Sequence, residues 1–172
     1  MFPLRDASAV KETLEGFKSQ SVATAVLTAA VDRAAWGKGQ LLEHIELVAA
    51  ATITTASGAA DDEVNVTLEI YECDTVDGTY TQYARSTVDV EKVFAVVVDD
   101  NDAAHTGVFV LPADLVQAKQ FIKGRVTVVA GTGAPTVSAA VATAVLNVFP
   151  GNGQPTDNYS NLGYSNVTIT PP

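Results

Sequence analysis

Cysteine occurs once in this 172-residue chain, at Cys73, which excludes an internal disulfide and leaves a cysteine-based metal site without ligands. The thiol is expected to be a small packing residue, and the chain is compatible with a reducing cytoplasm. Positive charge is scarce: 10 Lys and Arg stand against 20 Asp and Glu, a net charge of -10. Such a balance repels phosphate and argues against nucleic acid as a direct partner. Long apolar runs are missing too, none reaching the ~18 residues of a membrane-spanning helix, so no membrane partner is expected. The apolar stretch Ser21 to Val31 follows an acidic leader with Asp6, Glu12 and Glu15, unlike the short basic start of a secretory signal.

Alternation is present instead. In Val64 to Glu72, the residues Val64, Val66, Leu68 and Ile70 point one way, and Asn65, Thr67, Glu69 and Tyr71 the other. This predicts a central strand of an antiparallel sheet with one buried face and one wet or partner-facing face. It runs into Asp77-Gly78, which tolerates a tight reversal before Tyr80 and Tyr83 resume the alternation.

The same pattern, punctuated by Gly, Pro and Asp, predicts eight strands, near 22–31, 41–55, 64–72, 80–85, 88–98, 105–111, 119–130 and 137–149. Ser21 to Val31 shows small or apolar residues on both faces. The continuous run Val93 to Val98 suits a strand buried on both faces. Pro112 is expected to stop the strand His105 to Leu111, with a brief helical turn over Ala113 to Gln117. Trp36 precedes the turn Gly37-Lys38-Gly39 as an isolated aromatic plug. Eight short strands without a long helix imply an all-β fold, an eight-stranded jelly-roll-like β-sandwich over 21–149. Residues 1–20 form an N-terminal arm with at most a helical turn or two, since Val10, Leu14 and Phe17 recur at helical spacing. It docks on a neighbouring subunit or folds across its own sheet. Residues 150–172, rich in Pro, Gly, Asn, Ser and Thr, form an extended C-terminal tail that is either mobile or ordered by lying against a body.

No residue pattern points to catalysis. There is no Gly-x-Ser-x-Gly elbow, phosphate-binding glycine loop or His-Glu-x-x-His, and His44 and His105 have no Cys or carboxylate at ligand spacing that would single them out. Asp61-Asp62 and Asp99-Asp100-Asn101-Asp102 read as solvated turns, the latter lacking the Gly and distal Glu of a calcium loop. No catalytic, cofactor-binding or metal residue is therefore expected, and no cofactor.

At Val66-Thr67-Leu68-Glu69-Ile70-Tyr71-Glu72-Cys73-Asp74, followed by Asp77-Gly78-Thr79-Tyr80, the chain resembles the capsid decoration, or cement, proteins of tailed bacteriophages. Those proteins show an alternating strand, an acidic turn and a Gly-Thr-aromatic restart. The likeness continues through His105 to Leu111, Ala118 to Val128, and Ala139 to Leu146, and covers about 20 to 150. Cys73 stands where Ser is usual, Phe121 and Gly124 where an aromatic-leucine-Arg strand is expected, and the tail is longer. The resemblance implies a non-enzymatic jelly-roll subunit, assembled in the host cytoplasm onto the outer capsid surface. Its partners would be the major capsid protein, whose neighbouring copies it clamps, and itself, commonly as a homotrimer at local three-fold positions. The competing class is a carbohydrate-binding or adhesin-like β-sandwich, which needs clustered exposed aromatics; here aromatics make up 7% and are scattered. A cupin-like enzyme would need more than two histidines.

Overall fold

The computed structural model describes residues 12–35, 41–57, 61–83, 91–98, 104–115 and 117–150. Trp36, the acidic run Asp99 to Asp102, residues 1–11 and residues 151–172 lie outside the described residues. Ten strands follow in order: β1 (Glu12–Ser21), β2 (Val26–Leu27), β3 (Val31–Asp32), β4 (Leu42–Ser57), β5 (Asp62–Cys73), β6 (Thr81–Gln82), β7 (Glu91–Val98), β8 (Ala104–Asp114), β9 (Phe121–Ala130) and β10 (Thr136–Pro150). A front sheet runs β1-β10-β4-β8. In the back sheet β9 and β5 are central, with β2 and β3 on the far side of β9 and β6 and β7 on the far side of β5.

The pairings explain the shape. β2 and β3 pair consecutively with β9 and act as one interrupted strand, and β6 is a two-residue attachment at the end of β5. The ladders β1–β10, β2/β3–β9, β4–β8 and β5–β7 are then those of one long antiparallel hairpin folded back on itself. Rolling that hairpin up brings β10 beside β4 and β9 beside β5, which are the two remaining ladders. This is the jelly-roll winding, with its eight strands counted in that way. The fold is the expected all-β sandwich.

The core lies between the sheets, and strand alternation fills it. Val64, Val66, Leu68 and Ile70 of β5 are each 0% exposed, opposed by Ile45, Leu47, Ala49, Ala51 and Ile53 of β4, all buried. Burying a Leu or Ile side chain stabilises by about 1.5–3 kcal/mol relative to exposure, so these two strands carry much of the core. Gly124 of β9 lets the sheets approach: a Cβ there would sit 2.6 Å from Leu47 Cδ1. Phe94 of β7 and Phe109 of β8 close one flank, their rings tilted by 55° with centroids 5.1 Å apart.

Several expectations are corrected. The expected arm over 1–20 holds no helical turn from residue 12 onward: Glu12–Ser21 is β1, paired with β10, so the sandwich begins ahead of residue 21. A bulge explains the helical spacing. The register shifts between Glu15 and Phe17, where a Cβ on Gly16 would lie 2.8 Å from the Ala144 carbonyl oxygen, and the extra residue puts Leu14 and Phe17 on the same side. The strand expected over 22–31 is broken. Val22 instead bridges the sheets, its N–H donating to Ala140 O at 3.0 Å and its carbonyl accepting from Val128 N–H at 3.0 Å. Val93 to Val98 is not buried on both faces: Phe94, Val96 and Val98 turn to the core, while Val93 and Val97 point to the uncovered outer face of the back sheet and are about half exposed. Pro112 does not end its strand: β8 continues to Asp114, as an edge strand can accommodate proline. In place of a helical turn over Ala113 to Gln117, the strand gives way to a tight turn closed by Ala118 N–H to Leu115 O.

Candidate interaction face

Because alternate residues of β4, β8 and β10 fill the core, the others form the outer face of the front sheet, and the register sets them in rows. Val145, Val48 and Val110 make one row; Thr143, Ala50 and Val108 the next; Val141, Thr52 and Thr106 the third; Ala139, Thr54 and Ala104 the fourth. None is charged. Val108 is 67% exposed, Val141 39% and Val110 37%. The hydroxyls of Thr52 and Thr106 lie 3.1 Å apart across the ladder and satisfy each other without a charge.

Within β10, β4 and β8 charge is held to one end, and along the β1 border stand Glu15 and the exposed Lys18. The row beyond Val145, Val48 and Val110 contains Asn147, Glu46 and Pro112, with Thr13 of β1 opposite Asn147. There the Thr13 hydroxyl donates to Asn147 Oδ1 at 2.7 Å and Asn147 Nδ2 donates to Glu46 Oε2 at 3.1 Å. Glu15 borders the grid on β1, opposite Val145, and His44 faces Asp114 one row further on. At the opposite end, Ala139, Thr54 and Ala104 carry no charge.

The outer face of the back sheet differs. Glu69 and Arg125 are cross-strand partners, with Arg125 Nε 3.0 Å from Glu69 Oε2, and an Arg125 guanidinium N–H donates to the Tyr71 hydroxyl. Burial pushes the Glu69 carboxyl above its ordinary range; Arg125 opposes that rise and neighbouring Glu91 adds to it. Glu69 was expected on the wet or partner-facing side; it does point outward, yet it is only 8% exposed. Lys123 Nζ sits 4.2 Å from the centroid of the Tyr80 ring, and Arg125 stands 5.2 Å from that of Tyr71. Both tyrosine rings are thus engaged by cations, not held open as a platform on which a sugar could stack.

A third polar feature locks one end of the sandwich. Arg33, 1% exposed, donates from Nε to Leu42 O at 2.8 Å and from its terminal nitrogen to the carbonyls of Ala118 and Lys119. Burial lowers its pKa, while Tyr83, Glu43, Glu72 and Asp114 favour the charged form. With Nε bound to the start of β4 and a terminal nitrogen to the β8–β9 connection, the guanidinium ties the chain together there.

The sequence singled out no catalytic or metal residues. His44 lies exposed on β4 and His105 half-buried on β8, opposite Ile53, so the fold does not bring the two together. Among the described residues, no group of three His, Cys, Asp or Glu is placed to hold a metal ion. Cys73 is buried at the end of β5, under the turn in which a Cβ on Gly78 would lie 2.5 Å from its Sγ. The neutral grid was missed as a unit because its members come from strands far apart in sequence. Its only trace was the shared Ala, Val and Thr composition of the stretches that became β4, β8 and β10.

No family model matches the chain, and no curated protein matches it. Solved structures similar to it include the VP2 subviral particle of infectious bursal disease virus, at 14% identity and a TM-score of 0.39, over 88% of this chain and 34% of that one. This chain thus spans about a third of that protein's length. Desmodium yellow mottle tymovirus gives another, at 13% identity and a TM-score of 0.27, over 85% of this chain and 89% of that one. Identities and scores this low assign neither a family nor a function.

Proposed function

We propose that this chain is a non-enzymatic structural component of a virion, binding the outer face of a tailed-phage capsid and stabilising it by clamping neighbouring major capsid proteins. The observation that carries the reading is the uncharged grid of Val, Thr and Ala that β10, β4 and β8 present on the outer face of the front sheet, in a chain of net charge -10. Such a face suits contact with protein. The phage-like strand and turn at Val66 to Tyr80 supplies the kind of assembly. The mechanism is binding energy alone: every bound copy adds contacts that must break before the shell expands or ruptures, and contacts to more than one shell protein act together.

The test is co-sedimentation with capsids that lack the chain, followed by thermal release of their DNA. Binding together with a raised release temperature is expected; failure to bind such capsids, and absence from purified virions by mass spectrometry, would sink the proposal. The carbohydrate-binding alternative is disfavoured by the cation-covered rings of Tyr71 and Tyr80.

A further inference from the structure

The neutral face can be assigned an occupant. We propose that two copies of this chain stack front sheet on front sheet, about a two-fold axis that lies in the contact plane and runs across the strands. The proposal rests on the reading of this face as a protein contact, and it makes the paired chain the unit that bridges shell proteins.

Charge selects the occupant. Charged groups would steer an unlike protein to this face, and the four rows of β10, β4 and β8 from Val145 to Ala139 have none, so a second copy takes this face and the shell proteins meet the rest of the pair. Two copies each carrying -10 repel, so the contact between them that costs least is the one from which charge has been removed. Neutral against neutral is the arrangement that a homotypic contact requires.

Charge also selects the orientation. An axis parallel to the strands would set the Glu46 end of one copy against the Glu46 end of the other. An axis across the strands, through the row of Thr143, Ala50 and Val108, makes that row meet itself. It sets the Val145–Val48–Val110 row against Val141–Thr52–Thr106, and the Glu46 end against the uncharged Thr54 and Ala104. No acidic end then meets another.

Area is sufficient. Strands ~4.8 Å apart and rows ~6.8 Å apart make the neutral grid roughly 14 by 27 Å, or ~400 Å². The neutral grid alone contributes ~800 Å² to a pair; with β1, whose Glu15 and Lys18 form a charged border, and the Glu46 row, the sheet offers ~650 Å² per copy and a pair buries ~1,300 Å², at the lower end of stable specific interfaces. Small side chains on both sides allow the ~10 Å sheet spacing of aligned packing. The pair is therefore expected to be concentration-dependent.

Light scattering and sedimentation equilibrium of the full chain across a concentration series should show a monomer giving way to twice the chain mass. Val108→Asp and Val141→Asp should each move that transition to at least tenfold higher concentration, whereas Val97→Asp, at an exposed site on the back sheet, should leave it in place. Ala50→Cys, on the self-facing row, should form a covalent dimer under mild oxidation, and Ala95→Cys on β7 should not. A monomer at every concentration, a trimer, a dimer indifferent to both aspartates, or equal cross-linking from Ala50→Cys and Ala95→Cys would each overturn the pair. The virion role fails separately: a chain that dimerises but does not sediment with capsids loses only that role, and a monomeric chain that sediments loses only the pair.

Discussion

Leu68 and Glu69 are adjacent in β5 and point to opposite sides of the same sheet, so they test the face assignment directly. Leu68→Ala removes a side chain with 0% exposure from between two sheets and should cost about 2–5 kcal/mol in urea denaturation. Thr67→Ala, on the outward side, should cost about 0.5 kcal/mol or less. Glu69 shows where alternation misleads: it gives direction, and whether an outward residue is wet depends on neighbours from other strands. Here Arg125 and Tyr71 cover the carboxylate. Because burial raises its folded pKa above the ordinary 4.5, protonated Glu69 favours the fold. Its contribution is fully present below the unfolded pKa and is lost as pH rises through the folded value. The stability of the native chain relative to Glu69→Gln should therefore fall as pH is raised from acid to neutral, followed by thermal melts of both proteins. A difference that is flat or that grows with pH would reverse the assignment.

At the scale of elements, the strands flanked by clear turns, β4, β5, β9 and β10, were legible from period-2 alternation, and the ones that were not each broke that period for a physical reason. In β1 a bulge spaces Leu14 and Phe17 as a helix would. After β1 the chain crosses from one sheet to the other at Val22, so one apolar stretch serves two ladders. β7 was legible as a strand and only its burial was misread, since a run of valines reads the same whether the sheet's outer face is covered or, as at Val93 and Val97, open. Pairing partners are nonlocal and leave no mark within a strand. Gly124 is a local mark with a nonlocal meaning, since only the structure shows Leu47 of the opposite sheet occupying the place of its missing side chain. Gly124→Ala should destabilise by about 1–3 kcal/mol through overpacking. Combining it with Leu47→Val should recover part of that loss in a double-mutant cycle, because the clash is with the Leu47 methyl groups. Additive costs would mean that the sheets are not held at that spacing by this pair.

For the whole molecule, rolling up one long hairpin joins its two ends. Glu12 pairs with Val148, so β1 begins beside the place where β10 finishes, and the segments 1–11 and 151–172 attach to the sandwich side by side. The sequence showed these two segments as compositionally different from the body, but their common point of attachment follows only from the topology. That geometry separates two kinds of truncation. Removing residues 1–21 deletes β1, exposes the edge of β10 and takes Leu14 and Phe17 out of the core, so the melting temperature should fall sharply and the protein should self-associate through the bared edge. Removing 151–172 takes nothing from the described core. If that tail serves the shell contact, its loss should leave the isolated domain's melting temperature nearly unchanged while weakening capsid binding and lowering the temperature at which capsids release DNA. At ~3.3 Å per residue the extended tail reaches roughly 70 Å, enough to leave its own subunit, so a binding loss without a stability loss is the signature expected of a reaching arm. A drop of several degrees in the isolated domain would instead mean that the tail stabilises its own sandwich, and the clamp would then have to work through the sheet faces alone.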